Sequence, residues 1–179
     1  MPSVFSHAIF ASALGTAYTT EPMPPRFWVL TAACAMLPDA DAIGFAFGVR
    51  YESMLGHRGL THSIAFSLLV GSVVGMFAFG KRSTAPGKLQ LVLYFTLVTL
   101  SHPLLDALTN GGRGVALLAP FSAERYFFPF RPIEVSPIGM QFFSGRGLEV
   151  LLSEVIWVWL PALLIYLTAR MYRTVKSEK

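Results

Sequence analysis

Cysteine and charge are what this sequence has least of. Its single cysteine, Cys34, lies inside an apolar stretch, which excludes an intrachain disulfide framework and points to packing rather than thiol chemistry. Charged residues make up 13% of the chain against 54% hydrophobic residues, and the mean hydropathy is +0.56. Soluble domains carry about 25% charged residues, so this composition excludes an ordinary soluble domain and reads as an integral membrane protein. The start, "MPSVFSHAIFASALGTAY", lacks the basic region that opens a cleaved signal peptide. A net charge of +4 would suit nucleic acid if the basic residues formed a face. They are scattered between apolar stretches instead, and no nucleic-acid partner is expected. Internal repeats and low-complexity tracts are absent as well.

What the chain does have is apolar length. Segments 64–80, 89–108 and 148–168 read as membrane spans, at about 20 residues per crossing. Segments 4–18 and 27–36 are shorter and are parted by the proline-rich "TTEPMPPR", as a hairpin or a pair of tilted short helices would be. The expectation is an all-α, polytopic membrane helix bundle of about three to five membrane helices. It forms one integral membrane domain over 1–179, with 109–147 as a long interfacial loop. Lys81, Arg82 and Lys88 in one connection, and Arg170, Arg173, Lys176 and Lys179 in the tail, place those segments in the cytoplasm by the positive-inside rule. The 109–147 loop then faces outward. Its "ERYFFPFRP" alternates aromatics with arginines, a pattern suited to a lid or lipid-entry lip among headgroups.

Histidine and aspartate are scarce too, and this scarcity is informative. The four histidines and three aspartates of the chain all fall at segment ends that this topology brings to one interface. His57 and His62 sit at the start of the 64–80 helix, His102 and Asp106 near the end of the next, His7 near the outer end of the first, and Asp39 and Asp41 just after the second. Ionisable groups at membrane depth are costly and point to function.

The spacing defines the chemistry. In "SHPLLDAL", His102 and Asp106 are four residues apart, share a helical face and can chelate one divalent cation. Pro103 between them removes a backbone donor. In "LPDADAIG", Asp39 and Asp41 can supply a metal ligand and a neighbouring base. In "HRGLTHS", His57 and His62 are five apart, which is wrong for one helical face, so one ligates while the other orients, transfers a proton or binds a second ion. His62, beside the helix start, is the better ligand. Arg58 could hold an anionic substrate oxygen in bidentate geometry or anchor the chain at the interface. His7 completes the set. Nitrogen and oxygen donors without thiolate suit zinc and also accept manganese or iron(II). A cation held this way activates water and polarises a phosphoryl or ester oxygen, and hydrolysis follows.

At these residues the chain resembles the YdjM family of bacterial membrane-bound, LexA-regulated, metal-dependent hydrolases. The resemblance runs from His7 to about Asp106 and rests on the early histidine, "LPDAD", "HRGLTHS" and "SHPLLD" in that order. The family is in turn distantly similar to zinc-dependent phospholipase C and the fungal single-strand nucleases. The resemblance implies a phosphoesterase-like site in the bacterial cytoplasmic membrane. His7, Asp39 or Asp41, His62 or His57, and His102 with Asp106 would match the family's polar positions. The phospholipase pattern has a further histidine and glutamate downstream, whereas no histidine follows His102 here. One or two ions are therefore expected, with Glu149 and Glu154 as candidate substitutes.

The expected function is a divalent-metal-dependent membrane hydrolase acting on a phosphoester, phospholipid or lipid-linked, with its site on the outer face and membrane lipids as partners. A structural metal site and a proton or cation transport protein are the alternatives. The cores at 70–79 and 89–100 hold almost no ionisable side chain, which disfavours a transport path. The absence of HExxH disfavours a zinc protease.

Overall fold

Proline and glycine punctuate the apolar runs, and helices fill the intervals. The computed structural model describes residues 1–19, 21–80, 87–137, 142–143 and 145–177. Among these residues the regular structure is helical, in the order α1 (Val4–Tyr18), α2 (Pro25–Met36), α3 (Ile64–Phe77), α4 (Lys88–Ala107), α5 (Gly145–Glu154) and α6 (Leu160–Ser177). No strand forms among them; the 109–133 region makes only isolated bridges, Thr109 with Ile133 and Val115 with Tyr126.

Helix α2 starts at Pro25, whose fixed φ and missing N–H suit a first turn. It runs directly into a 3-10 helix, Leu37–Phe47, which opens with Pro38 and closes at Gly48 in the left-handed region, φ 75°. Together they make a 23-residue apolar unit, Pro25–Phe47, long enough to cross a bilayer. Lys88–Ala107 and Gly145–Lys176, of 20 and 32 residues, are the other two such helices. Three candidate spans among the described residues thus agree with the bundle expected, although their membership differs. The 27–36 segment gains length from the 3-10 helix. The 64–80 segment ends as an α-helix at Phe77, 14 residues that rise about 21 Å. Of the loop and tail charges that set orientation, Lys81, Arg82 and Lys179 lie outside the described residues.

Helices α3 and α4 form the closest pair in the bundle because Gly71 and Gly75 leave the facing surface flat. A Cβ on Gly71 would stand 2.7 Å from Thr96 Cα, and one on Gly75 would stand 2.6 Å from Val92 Cα. This small-xxx-small spacing lets backbones meet where lipid offers no hydrophobic drive for association. Phe27, Tyr94, Phe95 and Phe79 pack at one end of the bundle, where Thr31 Oγ1 and Tyr94 OH share a 2.8 Å hydrogen bond and the Arg26 guanidinium covers Phe79. The opposite end collects the start of α1, the 3-10 helix after α2, the start of α3 and the end of α4. The polar residues sit there.

Candidate metal centre

Pro103 does not end α4, so His102 and Asp106 stay one turn apart on its inner face, both fully buried. His102 Nδ1 lies 2.7 Å from the Ala35 carbonyl of α2. A carbonyl only accepts, so Nδ1 carries a proton and Nε2 faces into the bundle. That nitrogen is 3.3 Å from Asp39 Oδ1 and 3.1 Å from His62 Nε2.

The two aspartates of "LPDAD" separate because a 3-10 helix turns about 120° per residue, which aims residues two apart in different directions. Asp39 faces His62 and His102, and neither of its oxygens has a hydrogen-bond partner. Asp41 faces the "HRGLTHS" segment and is saturated. It accepts from His57 Nδ1 at 2.7 Å, the Thr61 hydroxyl at 2.7 Å and the Arg58 backbone N–H at 3.2 Å. It also lies 3.1 Å from His62 Nδ1. His62 therefore points one nitrogen at Asp41 and the other at Asp39, His102 and Asp106. Burial opposes charge on His62, but the carboxylates of Asp106, Asp39 and Asp41 outweigh it and push its pKa up to about 10. The carboxylates that charge this ring are those a cation would take up.

His7 stacks on His102 with ring centroids 3.7 Å apart and brings Nε2 to 3.4 Å from Asp106 Oδ1. Neither His7 nitrogen makes a hydrogen bond. Arg58 is placed differently from either sequence expectation. It is 1% exposed, faces no solvent, and holds a left-handed backbone at φ 63°. Its Nε lies 3.1 Å from Asp106 Oδ2 as an ion pair without hydrogen-bond alignment, while its other nitrogens donate to the Gly111 carbonyl and Thr109 Oγ1, each at 3.0 Å.

Asp39, His62, His102 and Asp106 each offer one ligand atom, and the four atoms lie within 4.8 Å of one another. Asp41, His57 and His62 form a second such group that shares His62. His7 touches the first group through Asp106. The donor chemistry fits a divalent cation: two imidazoles and two carboxylates, with Asp39 and Asp106 oxygens buried and unpartnered. Glu149 is exposed on α5, and buried Glu154 is taken up by Ser3 and Ser6. Neither joins the group. Arg125 donates to the carbonyls of His57 at 3.0 Å and Tyr51 at 3.0 Å.

Sequence reasoning missed the Ala35 carbonyl, Thr61, Thr109 and the Gly111 carbonyl. Thr61 lies inside a quoted motif, and its adjacency to His62 was the available signal. The carbonyls carry no side-chain signature at all.

A model of the YdjM inner membrane protein family matches residues 1–177. The chain is also 40% identical over 166 residues to inner membrane protein YbcI of Escherichia coli (strain K12), covering 92% of this chain and 95% of that protein. No solved structure matches. The family match spans residues 1–177 and the relative covers 92% of the chain: this is a membrane protein of the YdjM inner membrane protein family.

Proposed function

We propose that the protein is a membrane-embedded, divalent-metal-dependent hydrolase acting on a phosphoester, lipid-linked, at the outer face of the bacterial cytoplasmic membrane, with its C-terminus in the cytoplasm. The observation that carries this reading is the buried group Asp39, His62, His102 and Asp106, whose carboxylate oxygens lack hydrogen-bond partners. These four residues would hold the cation, zinc by its donor set, with His7 as an adjoining donor and one or two ions in all. A cation there acidifies a water and draws charge from a phosphoryl oxygen.

The remaining roles follow from the contacts. Asp41 orients His57 by accepting from its Nδ1, and it lies beside His62 Nδ1, which also meets Thr61 Oγ1 at 3.0 Å. His57, oriented by Asp41, is the candidate base that takes a proton. Arg58 balances the charge of Asp106.

The test is metal content by elemental mass spectrometry on detergent-purified protein, wild type against a His102→Ala, Asp106→Ala double variant. About one or two transition-metal ions per chain in the wild type, lost in the variant, are expected. Release of phosphate from a lipid phosphoester by the loaded wild type completes the reading. No metal in either protein after reconstitution with zinc or manganese overturns it. A second reading, a structural cation, draws on the complete burial of His62, His102 and Asp106. Bound metal without turnover of any phosphoester would favour it.

A further inference from the structure

Glu154 is the one fully buried carboxylate among the described residues that lies outside the metal-ligand groups. Its carboxylate accepts from the Ser3 backbone N–H, from Ser3 Oγ at 2.6 Å and from Ser6 Oγ at 2.7 Å. Ser3 is the N-cap of α1, and its side chain makes no cap bond to its own helix. A carboxylate from another helix therefore does the capping, where negative charge also suits the helix dipole.

The last span is built to deliver it. Between Glu154 and Trp159 the helix loosens into a π-turn, Val155–Trp159. In an α-helix, residues five apart point about 140° away from each other; the i→i+5 bonding of a π-turn brings them onto one face. Glu154 and Trp159 accordingly meet the same serine: Trp159 Nε1 donates to Ser6 Oγ at 2.7 Å. The clamp closes on the residue before His7. The His7 ring makes no hydrogen bond, so the placement of α1's first turn and its stack on His102 decide where the ring stands.

We infer that Glu154 is a positioning residue, which through Ser3 and Ser6 holds His7 against Asp106 and so sets the affinity and coordination of the metal. The inference rests on the proposed metal centre. It assigns Glu154 a part other than that of a substitute ligand.

The test is a double-mutant cycle read by cobalt(II) titration in detergent, following both affinity and the visible ligand-field bands. The variants are Glu154→Gln, His7→Ala and the pair. Glu154→Gln is expected to weaken cobalt about 10-fold or more, the range for groups that orient metal ligands. It should shift the bands as His7→Ala does and add nothing in the His7→Ala background. Ser6→Ala, which leaves Ser3 capped, should shift the bands the same way by less, and it carries the test should Glu154→Gln fail to fold. Unchanged cobalt binding in Glu154→Gln or in Ser6→Ala, or an undiminished loss when His7 is already alanine, overturns the inference while leaving the metal centre intact. Absence of cobalt binding in the wild type overturns the metal centre itself.

Discussion

Two aspartates separated by one alanine illustrate how much is decided residue by residue. Asp39 keeps two unpartnered oxygens toward His62 and His102, whereas Asp41 spends its oxygens on Thr61, His57 and a backbone N–H. Asparagine should therefore act differently at the two positions. Asp39→Asn removes a ligand charge and should abolish stoichiometric metal in elemental analysis. Asp41→Asn should retain metal but weaken it about 10–100-fold, because only the orientation of His57 and His62 is lost. Equal effects on zinc affinity would contradict this division. Arg58 offers a second contrast. Its three nitrogens serve three separate acceptors in a buried setting, a pattern lysine cannot reproduce. Arg58→Met leaves Asp106 as an uncompensated charge and should destabilise the metal-free protein by about 3–5 kcal/mol. Thermal unfolding in detergent measures this, and added zinc should recover part of the loss.

At the scale of elements, the bundle holds its polar end together by two devices of different kinds. Gly71 and Gly75 let α3 lie directly on α4, which brings the "HRGLTHS" segment before α3 over His102 and Asp106 at the end of α4. Gly71→Leu should overpack this contact and cost about 1–3 kcal/mol in detergent unfolding. It should also weaken metal binding, although Gly71 is not a ligand. Glu154 is the second device, joining the last span to α1 by hydrogen bonds instead of small residues. Both were partly legible. The glycine pair stands four apart in an apolar run, but α4 as its partner is a tertiary fact. The π-turn has no sequence signature in "VIWVW", and so Glu154 reads from sequence as a candidate substitute ligand.

For the whole molecule, one buried centre ties together α1, the 3-10 helix after α2, the start of α3 and the end of α4. A ligand bound only to the folded state stabilises it by about 2.7 kcal/mol at a concentration 100 times its Kd. Zinc should accordingly raise the unfolding temperature of the wild type and leave a His102→Ala, Asp106→Ala variant unmoved. Chelation should reverse the shift. Orientation is a second property at this scale. In a background lacking Cys34, a single cysteine at Lys176 should be labelled by impermeant reagents only from the cytoplasmic side, and one at Phe121, which is 90% exposed, only from outside. The opposite pattern would place the metal centre toward the cytoplasm.

By itself the sequence determined the class of protein and the cast of its polar centre. Scarce charge with long apolar runs leaves a membrane helix bundle as the way to satisfy the backbone, and four histidines and three aspartates confined to segment ends leave few ways to arrange a site. The i, i+4 spacing of His102 and Asp106 is local geometry, so it too was legible. Only the tertiary structure decided which aspartate is free and which is saturated, that Arg58 turns inward to Asp106, and that Glu154 caps α1. Each of these depends on which donors from other helices reach a carboxylate first. Buried polar groups take whatever partners packing supplies, and packing is set by surfaces that lie far apart along the chain.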